Sequence, residues 1–170
     1  MVFEASAITR LARLREDFDV DVIALDARAS EAAQLVKAWP ESLPRPELVL
    51  LAVNLHGYYT ALETLLERVA RLLDDELPTG PSWHQELLDQ MRIQLPGLRP
   101  PVIPGECLPE LNELRRFRHF FRNAYVLDLD AAKVRRQQQC LAAIHAPLRA
   151  SLDAFRRYLE ATLATLSGSG

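Results

Sequence analysis

Only two cysteines, six glycines and 7% aromatic residues occur in this 170-residue chain, and each shortage excludes something. Cys107 and Cys140 lie far apart and fit no metal-ligand spacing, so neither a disulfide framework nor a zinc module is expected. With no signal-like apolar leader in the chain, they read as reduced thiols of a cytoplasmic protein. No glycine-rich loop is present to cradle a phosphate, and no nucleophile elbow, HExxH pair or cluster of histidines and carboxylates that would hold a metal. No metal or cofactor is therefore expected. The longest apolar runs are broken by charges well before they could span a bilayer, so no membrane segment is expected either. A net charge of −3 lacks the overall electrostatic footprint of a nucleic-acid binder, and any RNA contact must come from a local patch.

What remains is an ordinary globular composition, 49% apolar and 25% charged, sufficient for one core and too short for two domains. A single helical domain over 1–166 with a frayed SGSG tail at 167–170 is expected, without internal repeats. The helical period governs the chain. From about residue 3 to 39, Ala7, Ile8, Leu11, Leu14, Phe18, Leu25, Leu35 and Val36 predict two helices or one bent helix. The stretch DFDVDV interrupts it with a strand-like alternation that has nothing to pair with. Pro40, Pro44 and Pro46 make the first connection. A second helix is predicted over 47–76, and its Gly57 needs close packing against another backbone to offset its cost. Glu63 on it reads either as a solvated carboxylate or as a partner for arginines further along the chain.

Ser82 and Gln85 predict a capping box opening a short helix, WHQELLDQM, where His84 reads as a packed or surface residue. The proline-rich LPGLRPPVIPGE is expected to lie extended across the surface. Asp130 predicts the N-cap of a last helix over 131–166, with a kink or break just before Pro147. The fold class that follows is all-α, an antiparallel bundle of four to five helices.

The richest chemistry lies in LRRFRHFFRNAYVLDLD, which begins at Leu114. Arg115, Arg116, Arg118 and Arg122 stand there with His119 and Tyr125 on one predicted helix. Leu114, Phe117, Phe121 and Ala124 form its buried face. Tyr125 and Arg118 lie at the edge, followed by Arg122 and Arg115, then His119, and finally Asn123 and Arg116. Guanidinium groups are rigid forks of donors suited to phosphate oxygens, so this arc is a candidate anion site. Equally, such arginines can be a solvated face paired with glutamates.

The order of LHGYYTALE, SWHQELLDQM and FRHFFRNAY resembles the HepT-like branch of the HEPN superfamily, over about residues 55–129. The resemblance implies a metal-independent endoribonuclease toxin, a homodimer whose arginine-bearing helices face each other across an RNA cleft, and a nucleotidyltransferase antitoxin as partner. The family signature is an arginine, four to six residues, a histidine, and a tyrosine two further on. Here it falls on Arg118, Asn123 and Tyr125. Arg118 and Arg122 would then clamp the scissile phosphate, with Arg115 as a further RNA contact, and Asn123 would position the 2′-hydroxyl. Asparagine cannot carry a proton, so His119, one turn earlier, becomes the candidate acid or base. Tyr125 is the candidate site of nucleotidylation. Two further readings stay open: a catalytically silent module that docks RNA, a nucleotide or an acidic partner protein, and a purely structural dimerising bundle.

Overall fold

In a computed structural model the chain is a bundle of five α-helices, described here for residues 2–123, 129–168, with side chains from residue 6 onward and excluding that of Asn123. The helices are α1 (Val2–Ala38), α2 (Arg45–Val69), α3 (Trp83–Met91), α4 (Leu108–Asn123) and α5 (Ala131–Gly168). Among the described residues there is no strand, only an isolated bridge between Leu95 and Arg99. The all-α expectation holds.

α1 is one uninterrupted helix, and DFDVDV belongs to it. Phe18, Val22 and Leu25 keep the helical period and are buried, whereas Val20 and Ile23 face out. Asp21 forms an ion pair with the Arg68 guanidinium of α2 at 3.2 Å. The alternation was a by-product of carboxylates flanking a helical seam.

α2 is the central element. Leu48, Leu51, Leu55, Tyr58, Tyr59, Leu62, Leu65, Leu66 and Val69 are all buried, too many for one narrow stripe. It therefore packs on several neighbours at once. Inter-helix pairs fix the directions. Asp17 and Asp21 meet Arg68 while Arg28 meets Asn54, Asp19 meets Arg156 while Asp26 meets Arg149, and Arg118 meets Glu63 while Phe121 packs near His56. α1 and α4 thus run antiparallel to α2, and α5 runs antiparallel to α1.

Gly57 faces a side chain, not a backbone: an added Cβ would lie 3.2 Å from Arg28 Nε. The vacancy admits the Arg28 guanidinium, which donates to Asn54 Oδ1 at 3.0 Å.

Further expectations need correction. α2 ends in a π-helical turn, Ala70–Asp74, closed by Asp75 in the left-handed region at φ 55°, which a short polar side chain tolerates. Ser82 caps α3 through its carbonyl, which accepts from the amides of Gln85 and Glu86, and its hydroxyl makes no cap bond. The proline-rich loop dives inward: Val102 and Ile103 are buried, and their amides donate to the Met91 carbonyl. Arg99 explains this, since its fully buried guanidinium spans both Asp74 oxygens at 2.5 and 2.6 Å and three backbone carbonyls.

α5 begins as expected, with Asp130 Oδ1 accepting from the amides of Ala132 and Lys133. It does not break at Pro147. Buried Ile144 and Leu148 continue the seam on both sides, and the Ala143 carbonyl deprived of its partner sits on the exposed face, where water can satisfy it. The helix runs on to Gly168, past the expected start of the tail. Cys107 and Cys140 are free and buried. Burial pushes the Cys107 thiol up to about 11, so it is no nucleophile at neutral pH. No helix is long and apolar enough, among the described residues, to cross a membrane.

Candidate functional site

α4 is amphipathic in the way its sequence predicts. Leu111, Leu114 and Phe117 are buried and Phe121 is partly so, which turns the arginine-bearing edge toward α2 and α3. That edge is not an open arc. Arg118 is drawn inward, with its side chain only 12% exposed, its Nη2 3.0 Å from Glu63 Oε2 and its Nε 3.4 Å from Thr60 Oγ1. The Thr60 hydroxyl donates to the His56 carbonyl one turn back, which leaves its lone pairs for Arg118.

Glu63 is the hub. Its carboxylate is nearly buried and serves two cationic or donor groups, Arg118 on one oxygen and His84 Nδ1 on the other. His84 comes from the first turn of α3, where its ring lies against Trp83 with centroids 3.6 Å apart. Burial pushes the Glu63 carboxyl up, and Arg118 and His84 pull it back. Of the two readings of Glu63 weighed from sequence, the arginine partner is the one that forms. The reading of His84 as a packed residue was incomplete, because its ring nitrogen joins this network.

The other arginines separate. Arg115 donates to Asn112 Oδ1 at 3.1 Å and reaches Gln85 Oε1 at 3.4 Å. Arg116 pairs with Glu113 in solvent. Arg122 and His119 are exposed, as is Phe120 at 56%. The groove beside α4 lies on its far side, between Phe117, Phe120, Leu129 and Val134, with Arg116 and Arg136 at its rim. It does not adjoin Arg118. The side chain of Asn123, and all of Ala124, expected on the buried face, and of Tyr125, lie outside the described residues.

Sequence reasoning missed His56. Its ring sits 5.3 Å from that of Phe121, and burial together with the Arg118 and Arg122 guanidiniums holds its pKa below the ordinary histidine value. A signal was available: His56, Thr60 and Glu63 recur at helical spacing, a polar stripe beside the apolar seam of α2. Tyr59 is buried next to Glu63, Arg115 and Arg118, and burial raises its hydroxyl well above the ordinary tyrosine value, so it stays protonated.

A second polar cluster was also missed. His145 Nε2 faces Asp26 Oδ1 at 3.4 Å, so Nδ1 is the acceptor for the buried Tyr58 hydroxyl at 3.1 Å. Arg149 closes this group by pairing with Asp26 and Asp153. It ties α1, α2 and α5 together. Among the described residues there is no group of three or more His, Cys, Asp or Glu side chains placed to hold a metal ion.

Comparison with curated proteins and with solved structures returns no match. A family model described as HepT-like protein matches residues 50–159, which takes in the Glu63, His84 and Arg118 network, His56, the whole of α4 and most of α5. On that match, covering well over half of the chain, the protein belongs to the HepT-like family of HEPN helical bundles.

Proposed function

We propose that the protein is an endoribonuclease, the toxin of a toxin–antitoxin pair, which cuts RNA by attack of a ribose 2′-hydroxyl on the adjacent phosphate. The observation that carries the reading is the Arg118 to Glu63 bridge. It fixes the arginine-bearing edge of α4 against α2, with Arg122 exposed one turn further on and His56 beside them. A pre-positioned guanidinium stabilises the charge that develops on a pentacoordinate phosphorus without reorganising at the moment of reaction. In this reading Arg122 makes the outer phosphate contact, Arg118 supplies the anchored one and Arg115 holds the flanking strand. Asn123 positions the 2′-hydroxyl, and His119 stands near enough on α4 to exchange a proton. The site is shared between two copies in a homodimer, and a nucleotidyltransferase antitoxin silences it by modifying Tyr125.

The test is direct. Purified protein incubated with labelled single-stranded RNA and chelator yields fragments ending in 2′,3′-cyclic phosphate. Arg122→Ala lowers the rate by about 10²- to 10³-fold, the typical cost of removing one such donor, with the helical fold intact. No fragments from the wild type at any RNA tried would overturn the reading.

Two observations favour a second reading. Arg118 is already compensated by Glu63, and Asn123 replaces the proton-carrying histidine, as a module that holds RNA without cutting it would have. RNA bound but uncut, with affinity falling steeply as salt rises, establishes that alternative.

A further inference from the structure

The family histidine is absent from position 123, yet cleavage needs a group that accepts the 2′-hydroxyl proton. Four histidines are present in the chain. His84 is committed to Glu63, and His145 is committed to Tyr58 and Asp26. His119 is exposed on the solvent side of α4. His56 differs from all three. It approaches from α2, packs its ring at a tilt against Phe121 with centroids 5.3 Å apart, lies within electrostatic reach of Arg118 and Arg122, and its own carbonyl accepts from the Thr60 hydroxyl that receives Arg118. Among the described residues neither of its ring nitrogens has a hydrogen-bond partner, so one is available to a ligand.

We propose that His56 is the general base of the cleavage step, reaching the Arg118 and Arg122 edge from a different helix and replacing the proton carrier missing at position 123. The inference rests on the ribonuclease reading above. In the step, the bond from the 2′-oxygen to phosphorus forms and the bond from phosphorus to the 5′-oxygen breaks. The 2′-hydroxyl proton goes to the free imidazole nitrogen of His56, and the departing 5′-oxygen takes a proton from His119, which the reading above places near enough to exchange one. The product is a 2′,3′-cyclic phosphodiester, with no change of oxidation state.

The surroundings suit this role. The charged groups that act on the ring are Arg118 and Arg122 of α4, and with burial they keep the imidazole neutral and able to accept. A phosphodiester seated between those guanidiniums and the ring offsets their charge, which eases the arrival of the proton on His56. Phe121 holds the ring in place by packing.

The experiment compares wild type, His56→Ala and His56→Gln on a labelled mixed-sequence single-stranded RNA. Both variants are expected to lose about 10²- to 10⁴-fold in kcat with KM changed far less. Added imidazole is expected to restore part of the rate to His56→Ala and none to Arg122→Ala. Cleavage by His56→Gln within twofold of wild type overturns the role of His56 and leaves the ribonuclease reading standing. A loss that imidazole does not rescue, in a variant that still binds RNA, makes His56 a positioning residue and overturns its role as base. A wild type that cuts no RNA overturns both. Should the variants misfold, the wild type decides. The His56 imidazole resonances are expected to shift on addition of a 2′-deoxy-substituted RNA that cannot be cut, and unchanged resonances overturn the proposal.

Discussion

Glu63 carries its charge where water is scarce, and its two partners are what make that tolerable. Removing one member of such a buried group leaves the others unpaired, which is more damaging than the net worth of the interaction suggests. The titration of Glu63 has a definite sign. Its folded pKa is raised above the ordinary 4.5, so the folded chain holds that proton more tightly than the unfolded chain does. The stability it contributes is full below 4.5 and is lost as pH rises through the folded value. Glu63→Gln removes this slope. Denaturant midpoints of wild type and Glu63→Gln measured across that range are expected to converge or cross as pH rises, and parallel curves would show that Glu63 titrates normally. At the second cluster, Tyr58→Phe strips the His145 Nδ1 of its donor at the edge of the core. A loss of about 1–3 kcal/mol in unfolding free energy is expected from the orphaned acceptor.

At the scale of elements, the connections hold more of the fold than their composition suggested. The π-helical turn at the end of α2 ends on Asp74, which meets Arg99 from the proline-rich loop, with both side chains almost wholly buried. One ion pair therefore pins the segment between α3 and α4 and carries Val102 and Ile103 into the core. Asp74→Ala is expected to cost about 3–5 kcal/mol, read as a fall in denaturant midpoint, because a buried guanidinium is left uncompensated. A loss below about 1 kcal/mol would mean that the loop is held by its apolar residues alone. The arrangement also bears on function. α4 begins directly after this loop and the 3₁₀ turn Gly105–Cys107, so the register that brings Arg118 to Glu63 is set from both sides.

For the whole molecule, four long helices and one short one leave Arg118, Arg122 and His56 on one edge of the bundle and the Asp26, Tyr58 and His145 cluster on another. A single edge of guanidiniums is a small target for RNA, and a homodimer that doubles it fits the proposed chemistry better than a monomer. Sedimentation equilibrium is expected to return a dimer. RNA affinity should fall as salt rises, with a slope of about 0.7 per phosphate neutralised on single strands. Arg122→Ala should reduce that slope, and an unchanged slope would remove Arg122 from the RNA contact.

The sequence by itself determined that the chain is helical and where several helices lie, because apolar spacing is a local property that packing merely obeys: WHQELLDQM is helical from Trp83 to Met91, and Asp130 caps α5. It also marked α4 as the segment of interest. Tertiary structure alone decided which way each charged side chain turned. Arg118 and Arg122 stand one turn apart on the same helix, yet the first is drawn inward to Glu63 and the second is exposed. That choice depends on residues about sixty positions earlier in the chain, and on α3 bringing His84 to the other carboxylate oxygen. For His56 the helical spacing with Thr60 and Glu63 gave only a polar stripe, and its surroundings came from the packing, since its neighbours Phe121, Arg118 and Arg122 are supplied by another helix. Periodicity reports burial along one element, whereas a site is made between elements, and only the packed bundle sets those distances.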